Sequence, residues 1–187
     1  MALIPAQAAV RSAGARWAAA GIVVVVVAAD QATKSLVLAG RISGSTGWAA
    51  VRLARNTGSA GGVGSSHPQL VSLLALAITG VVAVLLLRAR RAAIAVALSL
   101  VLAGALGNLA DRLLRAPGLG RGAVVDWIHL SAGGGGSMDI SDLAINAGAI
   151  GLVIALVATR DKTAGRPAVI GEGEPPAAGQ LAREPAS

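Results

Sequence analysis

The sequence predicts an all-α membrane protein: four transmembrane helices with a small extracytoplasmic β-like cradle or loop. Three observations carry this. Hydrophobic residues make up 55% of the 187 and charged residues only 13%, which is not the composition of a soluble domain. Apolar runs at 70–87, 92–110 and 143–159, and an apolar block at 17–29 whose helix could run on to 39, each suit the roughly 20 residues that cross a hydrocarbon core. A dense basic turn, Arg88-Ala89-Arg90-Arg91, separates the second run from the third. Aromatics are 2%, with neither Phe nor Tyr. Packing must therefore come from Ala, Val, Leu and Gly, small residues that let transmembrane helices approach closely.

Composition also excludes several classes. With no Cys there are no disulfides, thiolate nucleophiles or Cys-based metal sites, and two His leave little for a metal, so neither metal nor cofactor is expected. The net charge of +7 would suit nucleic acid only if Lys and Arg clustered along a groove with base-stacking side chains. Here they sit between apolar runs, as membrane-flanking residues do. Membrane lipids, not nucleic acids, are the expected surroundings.

Residues 1–16 form a weakly basic lead, with Arg11 and Arg16, ahead of the first apolar run. Val27-Ala28-Ala29 has the small-residue pattern of a signal-peptide cleavage site. Against cleavage, Asp30-Gln31-Ala32-Thr33-Lys34 runs on into Ser35-Leu36-Val37, which favours one helix over 17–39. Asp30 and Lys34 share a face of that helix in the acid-first order that favours pairing. The pair is either an anchor at the end of a span or a brace for a site.

The segment 41–67 is polar, Gly-rich and too long for a tight turn. Partial alternation over 49–55 reads as a short strand on the membrane surface or as solvated loop, and Asn56-Thr57-Gly58-Ser59 as a turn. The basic turn between the second and third spans belongs in the cytoplasm. Both termini are then cytoplasmic, and the 41–67 and 112–139 segments lie outside. The third span ends in Gly107-Asn108-Leu109-Ala110-Asp111-Arg112. Asp111 and Arg112 can snorkel to the interface, but Asn108, on the same face as Asp111, is still within the apolar run. A loop broken by Pro117 follows, and the run Gly133-Gly134-Gly135-Gly136 marks the most flexible stretch before the fourth span. Residues 160–187, rich in Pro, Gly, Ala and charge, read as a disordered cytoplasmic tail. The organisation is thus a lead (1–16), a four-span domain (17–159) and a tail (160–187).

This topology sorts the acids. Of nine, Asp30, Asp111, Asp126, Asp139 and Asp142 fall at the outer ends of spans or between them, and the rest are in the tail. A carboxylate at the lip of a membrane is expensive and needs a partner or a task. Asp126 and Asp142, converging from separate segments, would share a proton, because neighbouring like charges cannot both ionise cheaply. That is how an aspartic protease activates water. Asp142 opens a helix, where the dipole favours the ionised form, and Asp126 lies between Val125 and Trp127, surroundings that favour a neutral acid. Asp142 is therefore expected to be the general base and Asp126 the acid polarising the scissile carbonyl, with the proton belonging to the pair. Asp139 is expected to cap the helix and to raise the apparent pKa of the pair. Lys34 and Arg112 read as counterions to Asp30 and Asp111. A Ser35–Lys34 protease is disfavoured, since adjacent helix positions point about 100° apart. His67 and His129 receive no role, and the glycine run lacks the strand, helix and Lys of a phosphate loop.

The series Asp30…Lys34, Asn56-x-Gly58, Gly107-Asn108-x-x-Asp111-Arg112, Val125-Asp126 and Asp139-x-x-Asp142, set among four spans, resembles the lipoprotein signal peptidases, or signal peptidase II. The resemblance covers about 17–159. It implies an aspartic endopeptidase of the bacterial cell membrane that removes the signal peptide from diacylglyceryl-modified prolipoproteins, just before the lipid-bearing Cys. A monomer acting on lipid-modified precursors is expected. The family's catalytic pair falls on Asp126 and Asp142. Its supporting residues fall on Asp30, Lys34, Asn56, Gly58, Gly107, Asn108, Asp111 and Arg112, to which Asp139 is added. The sequence departs from the family in places. The Phe-Asn-x-Ala-Asp motif reads Met138-Asp139-Ile140-Ser141-Asp142, and the Asn-x-Gly-Ala-Ala-Phe loop reads Asn56-Thr57-Gly58-Ser59-Ala60-Gly61. The alternatives are a scaffold bundle, which requires neither Asp126 nor Asp142, or a small transporter or channel component with an acidic ion or proton site. A relay would spread its acids over several depths instead of gathering them at one face.

Overall fold

A computed structural model describes residues 5–131 and 136–164. Helix α1 runs Pro5–Leu38, α2 Pro68–Arg88, α3 Ala92–Leu114 and α4 Ile140–Ala164; the strands are β1 (Ala49–Asn56), β2 (Val124–Leu130) and β3 (Ser137–Met138). Within the helices, Gly14–Leu38, Pro68–Arg88, Ala92–Leu114 and Ile140–Ala158 are long and apolar enough to cross a membrane. Their exposed faces carry large apolar side chains, such as Leu73, Leu76 and Val81 on α2 and Val153 and Ile154 on α4, as a hydrocarbon surround demands. α3 is the central helix and packs on α1, α2 and α4. Its approach to α4 depends on small residues, because a Cβ at Gly104 would collide with the Ser141 carbonyl and one at Gly148 would stand 2.6 Å from the Ala97 carbonyl.

The strands form one antiparallel sheet in the order β1-β2-β3. β1 lies against β2 with Asn56 opposite Val124, Ala54 opposite Asp126 and Ala49 opposite Leu130, and the register shifts between Val51 and Ala54. The 49–55 segment is thus a strand, and its partner β2 comes from the outer segment 112–139, for which the sequence predicts no strand. β2 is enclosed along its first half, where Val124, Val125 and Asp126 are buried, and partly so from Trp127 to Leu130.

Three boundaries extend past the apolar runs. α1 begins at Pro5, so much of the basic lead lengthens the first helix. α3 continues to Leu114, which makes Asp111 and Arg112 helical. α4 starts at Ile140 and continues to Ala164, which puts Asp142 in its first turn. The bulk of the expected tail, 165–187, and residues 132–135 of the glycine run lie outside the described residues. The C-terminal ends of α1 and α3, the N-terminal ends of α2 and α4 and the sheet meet at one end of the bundle. The Arg88–Arg91 turn is at the other.

Candidate active site

At the sheet end of the bundle, two elements supply carboxylates that face one another. β2 carries Asp126, and the first turn of α4 carries Asp142, with Asp139 just ahead of the helix. One carboxylate oxygen from each of the three lies within 4.8 Å of the other two. Asp126 is 5% exposed, and among the described residues its Oδ1 has no hydrogen-bond partner. Burial, reinforced by the negative charges of Asp139 and Asp142, pushes the Asp126 carboxyl up to about 7, against the pull of Lys34 and Arg112. Asp139 rises to about 6, again first through burial, with Lys34 opposing and Asp142 adding to the shift. Asp142 is held differently. Its Oδ1 accepts a hydrogen bond from Asn108 Nδ2 at 3.0 Å, and its backbone N–H donates to Asp139 Oδ1 at 2.7 Å. The latter is the helix-capping bond expected of Asp139.

Behind these acids is a buried ionic frame. Lys34 Nζ is 2.8 Å from Asp30 Oδ2, 2.8 Å from Asp111 Oδ2 and 2.6 Å from Asp139 Oδ2, and all four side chains are fully enclosed. Charges withdrawn from water this completely persist only when paired and hydrogen-bonded. The carboxylates accordingly accept further hydrogen bonds. Asp30 Oδ1 accepts the Ser141 N–H at 3.1 Å, Asp111 Oδ2 accepts the Val125 N–H at 3.1 Å, and Gln31 Nε2 donates to Asp30 and Asp111 at 3.0 and 3.2 Å. One lysine on α1 thus fixes α3, α4 and, through Asp111, the strand that carries Asp126.

The guanidinium partner of Asp111 differs from the sequence expectation. It is Arg115, whose Nε is 2.5 Å from Asp111 Oδ1; Arg112 does not pair with Asp111. The reason is helical geometry. Residues four apart share a face, whereas neighbours point about 100° apart. Arg112 turns instead toward the cleft, where it donates to the Gly58 carbonyl at 2.5 Å and to the Asn108 carbonyl at 3.3 Å.

That Gly58 carbonyl belongs to a tight turn. Asn56 Oδ1 accepts the Gly58 N–H at 2.9 Å, and a Cβ on Gly58 would come within 2.6 Å of the Gly62 backbone, so only glycine fits. Gly107 is constrained in the same way: a Cβ there would overlap Ser141 Oγ and stand 2.8 Å from Asp30 Oδ2. The sequence-predicted residues therefore divide by location. Asn56, Asn108, Arg112, Asp126 and Asp142 line an open cleft of about 720 Å³. Asp30, Lys34, Gly107, Asp111 and Asp139 form the buried frame, and Gly58 shapes the turn between cleft and frame. Sequence reasoning passed over Gln31, Arg115 and Ser141. Arg115 had a readable signal, its spacing of four from Asp111; Gln31 and Ser141 had none beyond adjacency to acids. His67 proves to line the cleft as well.

The far wall of the cleft is apolar and is made by Leu70, Val71, Leu74, Ala75 and Ile78 of α2. The site can therefore hold a water between two unlike carboxyls while a greasy chain lies alongside. Asp30, Asp111, Asp126, Asp139 and Asp142 gather at this one end, which does not suit a relay crossing the bundle.

The signal peptidase (SPase) II family matches residues 22–158. The chain is 41% identical over 110 residues to the lipoprotein signal peptidase of Streptomyces griseus subsp. griseus, covering 57% of this chain and 54% of that protein. It is 38% identical over 135 residues to that of Rhodococcus jostii, covering 70% and 67%. The chain spans about half the length of the Streptomyces griseus relative. A solved bacterial membrane enzyme superposes with a TM-score of 0.65 at 28% identity, over 80% of this chain and 92% of that one. Because the match runs from the first span to the fourth and takes in every element that converges on the acids, the chain belongs to the signal peptidase II family.

Proposed function

We propose that the protein is a membrane-embedded aspartic endopeptidase of the bacterial cell membrane that removes the signal peptide from diacylglyceryl-modified prolipoproteins, with Asp126 and Asp142 as its catalytic pair. The observation that carries this is the approach of the two carboxylates, within 4.8 Å, at a cleft with one apolar wall. Asp142 begins ionised and takes a proton from water as the water oxygen attacks the scissile carbonyl carbon. Asp126 begins protonated and gives its proton to the carbonyl oxygen. When the resulting diol collapses and the C–N bond breaks, the proton on Asp142 passes to the leaving nitrogen, and Asp126 regains one from a diol hydroxyl. One water is consumed, one acid and one amine are released, and the pair again holds one proton.

The arginine turn at the opposite end of the bundle supports an extracytoplasmic site and cytoplasmic termini. Both carboxylates come from one chain, which supports action as a monomer. Asn108, which holds Asp142, and Arg112, which holds the Gly58 turn, act as positioning residues, and the Lys34 frame sets the geometry. Incubating purified protein with a lipid-modified precursor tests the proposal. Wild type should cleave it, and Asp126→Asn and Asp142→Asn should each lower turnover by at least about a thousandfold. Cleavage that survives either substitution discards the assignment.

A further inference from the structure

On the α4 side of the cleft, one polar side chain has no hydrogen-bond partner among the described residues. Asn146 is on α4 one helical turn beyond Asp142, inside the span Ile140–Ala158. It lines the cleft beside Ile145 and is exposed there. Residues four apart share a helix face, so Asn146 and Asp142 point the same way, separated by about 6 Å along the axis. Thr79, on the facing α2 wall, satisfies its hydroxyl on the Ala75 carbonyl at 2.7 Å. The Asn146 carboxamide has no hydrogen bond among the described residues. A polar side chain inside a span marks a cavity or a substrate path, and no hydrogen bond ties this one to the rest of the bundle. What it can do is meet the occupant of the cleft.

We propose that Asn146 is a substrate-positioning residue whose carboxamide donates a hydrogen bond to a carbonyl of the lipid-bearing peptide, about one helical turn inward from the scissile bond. This rests on the peptidase reading above. Two carbonyls lie within that distance of the cut: an ester of the diacylglyceryl group, or a main-chain amide about two residues away in an extended chain, at roughly 3.3 Å per residue. Either is an acceptor that an apolar wall cannot satisfy and Asn146 can.

The test measures KM and kcat of purified full-length protein on a diacylglyceryl-modified precursor, together with thermal unfolding. Asn146→Leu should raise KM by about fivefold, the worth of one hydrogen bond, with kcat changed less and the unfolding temperature equal or higher. Asn146→Gln, which keeps the amide, should recover part of the loss. A precursor whose Cys carries a dialkylglyceryl ether separates the two carbonyls. If the ester is the partner, wild type shows the raised KM on the ether and Asn146→Leu adds nothing; if the amide is, the Leu penalty is the same on both substrates. A KM for Asn146→Leu within about twofold of wild type overturns the proposal, as does a joint loss of stability and kcat. Wild type inactive on the precursor overturns the peptidase reading, and this proposal with it.

Discussion

Lys34 Nζ stands 2.6 Å from Asp139 Oδ2, and the same carboxylate, through Oδ1, caps the helix that presents Asp142. The first span is thereby joined to the start of the fourth by a single ammonium that also holds Asp30 and Asp111. Lys34→Met would leave three enclosed carboxylates with no lysine among them. Removing one partner of a buried ion pair costs about 3–5 kcal/mol. Thermal unfolding of Lys34→Met in detergent should show a loss of that size, whatever happens to activity.

Asp126 offers a prediction of the opposite sign. Its carboxyl is raised to about 7, against a usual value near 3.9 when unfolded. A raised acid favours the folded state while protonated, so its contribution is intact below about pH 4 and is lost as pH climbs toward 7. Asp126→Asn should therefore abolish turnover yet stabilise the protein, by as much as a few kcal/mol above pH 7 and by nothing below about pH 4. Unfolding temperatures of the two proteins at pH 4 and pH 8 give the comparison. Equal differences at both values would count against a buried, strained carboxyl at this position.

Much of this site could be read before the fold was known, because the signals were local. Helical spacing gave the Asp30–Lys34 pair, a helix start gave the capping role of Asp139, and the scarcity of acids in apolar sequence drew attention to Asp126 and Asp142. What escaped was what only three-dimensional contact decides. Nothing in the sequence says that Lys34 would answer to Asp111 and Asp139 as well as Asp30, because these meet across three helices. The strand at Val124–Leu130 escaped because its partner is far away in the chain. The misassigned partner of Asp111 is a different case. The spacing of four points to Arg115, whereas the adjacent Arg112 is close in sequence but turned to another face.

Gly107 and Ser141 form a coupled pair. A Cβ on Gly107 would overlap Ser141 Oγ and crowd Asp30, so Gly107→Ala should cost about 1–3 kcal/mol. Ser141 Oγ is buried without a hydrogen-bond partner among the described residues, so Ser141→Ala should be neutral or slightly stabilising. In the double variant the missing hydroxyl makes room for part of the new methyl. Its unfolding free energy should exceed that expected from adding the single changes by about 0.5–1.5 kcal/mol. Strict additivity would mean that α3 and α4 do not meet at this point as described.

Arg112→Lys should weaken the cleft without emptying it. The guanidinium spans two carbonyls, Gly58 and Asn108, and an ammonium has no planar fork with which to hold both. The Gly58 turn, already confined by the Gly62 backbone, loses the contact that ties it to α3. The peptidase assay should show kcat/KM lower by about tenfold, the worth of one charge-assisted hydrogen bond. Arg112→Gln, which keeps an amide donor but no charge, should fall at least as far. If Lys performs as well as Arg, the forked contact does not matter to the reaction.

Asp139 stands where the family motif has Asn. Its carboxylate raises the Asp126 pKa, second only to burial. Asp139→Asn removes that charge, and Asn can still accept the Asp142 N–H, since Asn caps helices as well as Asp does. In the proposed mechanism Asp126 acts in its protonated form, so turnover should fall as pH rises through the Asp126 pKa, near 7. Without the Asp139 charge that pKa drops, and the alkaline limb of the pH–rate profile should move to lower pH. Asp139 itself is raised to about 6 and carries little charge below that, so the two proteins should diverge above pH 6 and converge beneath it. Lys34, still paired with Asp30 and Asp111, keeps the frame in place, so unfolding should change less than in Lys34→Met. A limb that stays where it was would show that the third carboxylate does not act on the pair.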